Sequence, residues 1–236
     1  MRLGSITLER KHLKRAWDYV RKANWPNVLT NRRAQSRFPD VKIFIIGPNR
    51  CGTTSFHRFF HHNGLRALHC RIGSMYLAKE IRDRLGDDKA LKAFLSRWTV
   101  YSDFVYLTDD EHFEAHGLYE TYARLFPEAY FILNDRDVDR WVGSRLSFKD
   151  DFLPRYLSSR GGTAQAAEAN WRMEFAQHRE AALDYFADHP RFIHIPIDQK
   201  VASGSAIDPV IDMMKPHFKL DSNLWRASNA SAQEKG

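Results

Sequence analysis

The stretch Gly47-Pro48-Asn49-Arg50-Cys51-Gly52-Thr53-Thr54-Ser55 gathers the residue types that hold an anion. Gly47 and Gly52 have the G-x-x-x-x-G spacing of a phosphate loop, but the lysine that follows the second glycine in nucleoside-triphosphate enzymes is missing. Thr53 and Thr54 follow directly, and a cation, Arg50, lies inside the loop instead. Backbone N–H groups of a glycine-rich turn and the first turn of the next helix can cradle an anion. Thr53, Thr54 and Ser55 add hydroxyl donors, and Arg50 adds a charged fork. Gly47 is expected to permit a strained backbone, and Gly52 the close approach of a ligand.

The missing lysine bears on the chemistry. In ATP and GTP enzymes it pairs with the β- and γ-phosphates while the hydroxyl binds Mg²⁺. Its loss argues against transfer of a highly charged γ-phosphoryl group. A sulfuryl group carries less charge and can be moved by fixed donors and one cation, without a metal. "GPNRCGTTS" resembles the 5′-phosphosulfate loop of sulfotransferases that use 3′-phosphoadenylyl sulfate (PAPS), which reads P-[KR]-[SC]-G-T-T-[ST]-L. Arg50 matches the loop cation, Cys51 the usual serine, Gly52-Thr53-Thr54 the core, and Phe56 the leucine position; the offset between Pro48 and Arg50 is one residue too long. The resemblance implies that Asn49, Arg50, Cys51, Gly52, Thr53, Thr54 and Ser55 hold the phosphosulfate.

A second stretch, "YFILNDRDVDRWVGSRL" at 130–146, is similar to the family's strand–RD–helix segment. The resemblance implies that Arg136, leaving the strand, and Ser144, two turns into the helix, hold the 3′-phosphate. Asp135 or Asp137 would stabilise the helix start. Weaker likeness extends to "NWRMEFAQHREAALDYF", "RFIHIPID" and "NLWRASN".

Transfer to a hydroxyl needs a base within hydrogen-bond reach. His69 ends "GLRALHC" and Asp103 lies in "YSDFVYL", both at expected strand ends. Either serves, and the choice between them stays open here. Glu111, Glu120 and the pair His61-His62 are weaker options. Cys51, beside Arg50 at a helix start, has the setting of a reactive thiol, but the resemblance makes it a small loop residue. Trp98, Tyr101, Phe104 and Tyr106 are either core or the lining of a glycan or glycolipid acceptor site. No Cys/His spacing typical of zinc is present.

These residues need elements to position them. Near-continuous apolar runs at 41–46 and 129–134 read as strands buried on both faces. Further strands are expected at 65–69, 100–107 and 191–197. Helices are expected at 54–62, 75–85, 88–98, 111–125, 138–148, 163–187 and 206–217. Alternating strands and helices predict a three-layer α/β/α domain with a mainly parallel central sheet, like the P-loop NTPases. Ligands of such folds bind at the carboxyl ends of the strands. Three parts are expected: a basic helical extension at 1–40, with one amphipathic helix over 5–24 and a polar stretch from Pro26 to Pro39 leading into the core, the catalytic domain at 41–227 and a mobile tail at 228–236.

The chain of 236 residues carries 36 Lys and Arg against 29 Asp and Glu, a net charge of +7, with much of the excess in residues 1–50. That balance fits a solvated helix face, an anionic ligand, an acidic glycan, a membrane surface or a nucleic acid. Two cysteines suit a reducing compartment. No apolar run reaches the roughly 20 residues of a membrane span, and the N-terminus lacks a secretory apolar core. Composition leads to the expectation of a cytoplasmic protein, and the resemblance implies a sulfotransferase with PAPS as donor, no metal, and a carbohydrate or glycolipid hydroxyl as acceptor. The competing readings are a P-loop small-molecule kinase and a basic nucleic-acid-binding module; the two anion motifs leave nucleic acid the weakest partner.

Overall fold

The computed structural model describes residues 24–148, 151–200 and 207–226. The basic helix expected over 5–24, apart from Asn24, and the tail at 228–236 lie outside them.

The central sheet has five strands: β1 (Ile43–Ile45), β2 (Ala67–His69), β5 (Val100–Ser102), β8 (Tyr130–Asp135) and β9 (Phe192–Pro196). Their order is β2-β5-β1-β8-β9, and every pairing is parallel. Two small antiparallel hairpins accompany it: β3 (Arg71–Ile72) with β4 (Met75–Tyr76), and β6 (Val105–Leu107) with β7 (His112–Glu114). The expected α/β/α architecture is thus what the chain adopts.

The apolar runs read as central strands because helices cover both faces. Phe44, Leu68, Tyr101, Phe131 and Leu133 face α3 (Leu77–Arg82), α4 (Asp88–Leu95), α5 (Tyr119–Leu125) and α8 (Ala164–Tyr185). Ile43, Ile45, Val100, Ile132 and Ile195 face α2 (Thr53–His62) and α9 (Asp208–Met214). Phe56, Phe59 and Phe60 of α2 are fully buried, each stabilising the fold by about 1.5–3 kcal/mol. A third cluster joins α6 (Val138–Leu146), α7 (Phe152–Arg160) and α8 around Trp141, Phe152 and Trp171. Cys51 belongs to it, so this cluster supports the underside of the loop after β1.

Several elements differ from expectation. The strand expected at 100–107 is broken at Asp103, whose φ of 61° turns the chain out of the sheet. β6 then pairs with β7, so residues 112–114 are strand and the helix begins only at Tyr119. Residues 75–76 are likewise hairpin, and α3 starts at Leu77. The stretch from Pro26 to Pro39, read as a polar connection, contains α1 (Trp25–Arg37), with Pro26 in its first turn and Asn24 accepting from Asn27 N–H as cap. Proline is tolerated there because those N–H groups have no helical partner. Helix α7 also lay in a stretch without an expected element. The caps from Asp87, Asp137 and Thr163 form as the residue types suggest.

Candidate active site

The carboxyl ends of β2, β5, β1 and β8 converge on one edge of the sheet. The loop from Gly47 to Gly52 leaves β1 and opens α2. Gly52 has φ 76° and no side chain caps the helix; Ser55 N–H bonds the Gly52 carbonyl at 2.9 Å, and the Thr53 and Thr54 N–H groups remain able to meet an anion. The reasons for the two glycines are the reverse of those expected. Gly52 supplies the left-handed backbone. Gly47 supplies close approach, since a Cβ there would lie 1.8 Å from the Asn134 carbonyl oxygen.

Asn134 also clamps the loop. Its Oδ1 accepts from Gly47 N–H at 3.0 Å and its Nδ2 donates to the Cys51 carbonyl at 2.5 Å. Asn49 faces inward as well: its Oδ1 accepts from Arg145 Nε at 2.9 Å and its carbonyl from Trp141 Nε1 at 2.8 Å. Arg145 is almost fully buried, lies over the Trp141 ring and donates Nη2 to Glu114 Oε1 at 2.7 Å. Burial pushes the Glu114 carboxyl up, but Arg145, His112 and His116 outweigh it and hold it well below the usual range. This buried charge network ties the loop to the β6–β7 hairpin.

Cys51 is fully buried, and burial pushes its thiol far above the ordinary value, which removes it as a nucleophile. Neither Cys51 nor Cys70 is in a disulfide. Thr53 and Ser55 are buried and Thr54 half-buried at the head of α2.

The two candidate bases are neighbours. β2 and β5 pair with His69 opposite Ser102, which puts His69 beside Asp103. His69 Nε2 lies 3.4 Å from Asp103 Oδ2 and 3.3 Å from Thr54 Oγ1. Its Nδ1 lies 2.9 Å from Ser102 Oγ. His57 stacks on the ring at 5.1 Å. Burial lowers the His69 pKa, Asp103 opposes that, and Arg58 adds to it, for a net lowering. Burial raises Asp103, partly opposed by His69. Each environment disfavours an isolated charge, so the pair titrates as a unit. Glu111 instead pairs with Arg82 at 3.2 Å, and Glu120 is exposed on α5.

Arg136 and Ser144 stand where expected, after β8 and within α6, but their recorded contacts link them to other residues. Arg50 Nε donates to Ser144 Oγ at 3.0 Å. Arg136 Nη2 donates to Asp198 Oδ1 at 3.1 Å and Nη1 to the Arg50 carbonyl at 3.4 Å. Asp198 also accepts from Asp137 N–H at 2.7 Å. A carboxylate thus sits at the start of α6 on the donors suited to an anion. Beside it opens a cavity of about 740 Å³ lined by Arg136, Asp198, Arg179, Phe175 and Leu183.

Arg50, Cys70 and Asp103 have φ values of 68°, 54° and 61°. Non-glycine residues in this region cluster at functional sites, and these three surround the loop and the base pair. Asn134, Ser102 and Asp198 were missed as site residues; the visible signal was a polar residue at the end of an apolar strand or just after it. Tyr101 and Phe104 belong to the core, and Trp98 and Tyr106, both half-buried, pack against it.

A parallel α/β sheet with a glycine-bounded loop and a His–Asp pair at its carboxyl edge is an arrangement suited to group transfer. The family can be specified: a model described as a sulfotransferase domain matches residues 42–192, well over half of the chain. The chain belongs to this sulfotransferase family, whose chemistry is sulfuryl transfer to an acceptor. A search of curated proteins gives no match. Among the described residues no helix is long and apolar enough to cross a membrane, and no three His, Cys, Asp or Glu residues group as a metal site.

Proposed function

We propose that the chain moves the sulfuryl group of PAPS to a hydroxyl of a carbohydrate or glycolipid acceptor by direct in-line displacement, without a metal. The observation that carries this reading is the contact of Thr54 Oγ1 with His69 Nε2, with Asp103 Oδ2 3.4 Å from the same nitrogen. It sets a base against the loop that suits the phosphosulfate. When bound, the donor supplies an electrophilic sulfur and a phosphate leaving group. The loop and α2 N–H groups, the hydroxyls of Thr53, Thr54 and Ser55, and the Arg50 guanidinium hold the phosphosulfate. Cys51 and Asn49 shape that loop from below. Arg136 and the start of α6 hold the 3′-phosphate, displacing the Asp198 carboxylate, while Ser144 orients Arg50 toward the phosphosulfate.

His69 Nε2 takes the hydroxyl proton as the acceptor oxygen bonds to sulfur and the sulfur–oxygen bond to the phosphate breaks. Asp103 stabilises the imidazolium that forms, and Arg50 the charge on the departing oxygen. The products are the sulfate ester and adenosine 3′,5′-bisphosphate.

Calorimetry in EDTA tests the donor. Adenosine 3′,5′-bisphosphate should bind at micromolar concentration or tighter, and ATP with Mg²⁺ much more weakly. The reverse order would replace PAPS by a nucleoside triphosphate. Labelled PAPS against a panel of glycans and glycolipids then tests the acceptor; transfer only to non-carbohydrate hydroxyls would overturn that part.

A further inference from the structure

An ordinary surface helix buries an apolar stripe; helix α1 instead buries Asn27, Asn31 and Gln35 beside Val28. Its inward side is rich in amides. Asn31 Nδ2 donates to the Asn63 carbonyl at 2.7 Å and the Lys219 carbonyl at 2.8 Å. Gln35 accepts from Arg66 N–H at 2.8 Å and Thr99 Oγ1 at 2.7 Å. These bonds fix the helix to the domain and decide which side faces out. The outer side carries Trp25 and Leu29, 44% and 58% exposed, with Arg32, Arg33 and Arg37.

Many arginines elsewhere, though not Arg66, Arg71 or Arg97, are neutralised by carboxylates. Arg82, Arg84, Arg124, Arg172 and Arg191 each pair with a carboxylate. Among the described residues Arg32, Arg33 and Arg37 pair with none. In the sequence, the basic excess is concentrated at this end of the chain. Residues 1–37 hold ten Lys and Arg against two Asp and Glu, and the remainder holds 26 against 27. The whole net charge of +7 therefore belongs to this stretch.

We propose that the outer face of α1 docks on the surface of an anionic lipid bilayer. Charge alone would equally suit a nucleic acid. The difference lies in Trp25 and Leu29. A phosphodiester backbone gives Leu29 no apolar partner, whereas the headgroup–acyl boundary takes both side chains while acidic headgroups meet the arginines. Asn31 and Gln35 anchor α1 beside Gly64, Arg66 and Thr99, at the amino ends of the strands. The candidate active site lies at their carboxyl ends, so a docked molecule keeps that site open to water. The inference does not depend on which group the site transfers.

Co-sedimentation of the full chain with phosphatidylcholine vesicles, with and without phosphatidylserine, tests it. Binding is expected only with phosphatidylserine and should weaken as salt is raised. Removing each arginine charge should weaken it about fivefold, from the ~1 kcal/mol that a basic residue gains at such a surface. Two variants separate the contributions: Trp25→Ser with Leu29→Ser, and Arg32→Gln with Arg33→Gln and Arg37→Gln. Thermal melting checks that each is folded, and the single changes Leu29→Asn and Arg33→Gln serve if a multiple variant is not. Weakened binding by folded variants of both kinds supports the docking face. Unchanged binding by either, equal binding to phosphatidylcholine alone, or displacement of vesicles by a short RNA at equal charge overturns it.

Discussion

Arg50 donates its Nε hydrogen to Ser144 Oγ over 3.0 Å, and its guanidinium lies 4.4 Å over the Phe148 ring. The cation of the first anion motif is therefore oriented by the helix of the second. Loss of a preorganised donor to developing charge costs about 10²–10³-fold in kcat. Arg50→Ala is expected to show a loss of that size. Ser144→Ala keeps the cation but releases its aim, and should lower kcat/KM by roughly tenfold, the worth of one hydrogen bond to a charged group. Steady-state kinetics with PAPS measures both; a Ser144→Ala enzyme as active as the parent would dismiss the orienting role.

Asp198 occupies the donors proposed for the 3′-phosphate, through Arg136 at 3.1 Å and Asp137 N–H at 2.7 Å. An incoming phosphate must displace this carboxylate. Asp198→Asn keeps the shape and removes the charge, so adenosine 3′,5′-bisphosphate should bind tighter. Arg136→Ala should weaken binding by about tenfold or more, since bonds to charged groups contribute about 1.5–3 kcal/mol. In the double variant the gain from Asp198→Asn should vanish, because the two residues act on one ligand group. Calorimetry on the four proteins decides it, and additive effects would separate Asp198 from Arg136.

The two loop glycines make a graded prediction. A Cβ on Gly47 meets the Asn134 backbone, which cannot yield without moving β8. A Cβ on Gly52 meets only the Ile197 side chain at 3.3 Å, and the remaining cost is its φ of 76°, about 1–2 kcal/mol. Gly47→Ala should therefore lose more stability in urea than Gly52→Ala. The opposite order would mean that strand contact is not what selects glycine at position 47.

The parallel sheet was legible because β1 and β8 are buried on both faces, which forces unbroken apolar runs. The loop after β1 was legible because glycine spacing and hydroxyl residues are local features. What escaped is long-range. Whether Val100–Leu107 is one strand or two depends on Asp103 taking a left-handed turn toward His69, a residue 34 positions earlier. The division of labour between Arg136 and Ser144 depends on Asp198, which follows a strand at the opposite side of β8 from β1. Helix α1 was obscured because its buried face is mostly amide, with Asn27, Asn31 and Gln35 beside Val28, so only a weak apolar period marks it.

The His69–Asp103 pair determines the pH dependence. His69 must be neutral to take the proton, so kcat/KM should rise with pH and level off as the pair deprotonates. Burial places His69 below the ordinary histidine value, and Asp103 pulls it back part of the way. The acid limb should therefore lie below pH 6.5, the ordinary histidine value. Asp103→Asn removes the group that raises His69, so the limb should move to still lower pH. The plateau should fall, because the imidazolium loses its stabilising carboxylate. Asparagine tolerates the left-handed backbone of position 103, which keeps the test electrostatic rather than structural. His69→Asn should abolish the limb and lower the rate by about 10²–10⁴-fold. If Asp103 were itself the base, the signs would differ: Asp103→Asn would abolish turnover, and His69→Asn would leave a limb shifted upward, because the histidine that lowers the Asp103 carboxyl is gone. The pH–rate profiles of the two asparagine variants thus assign the proton to one partner or the other.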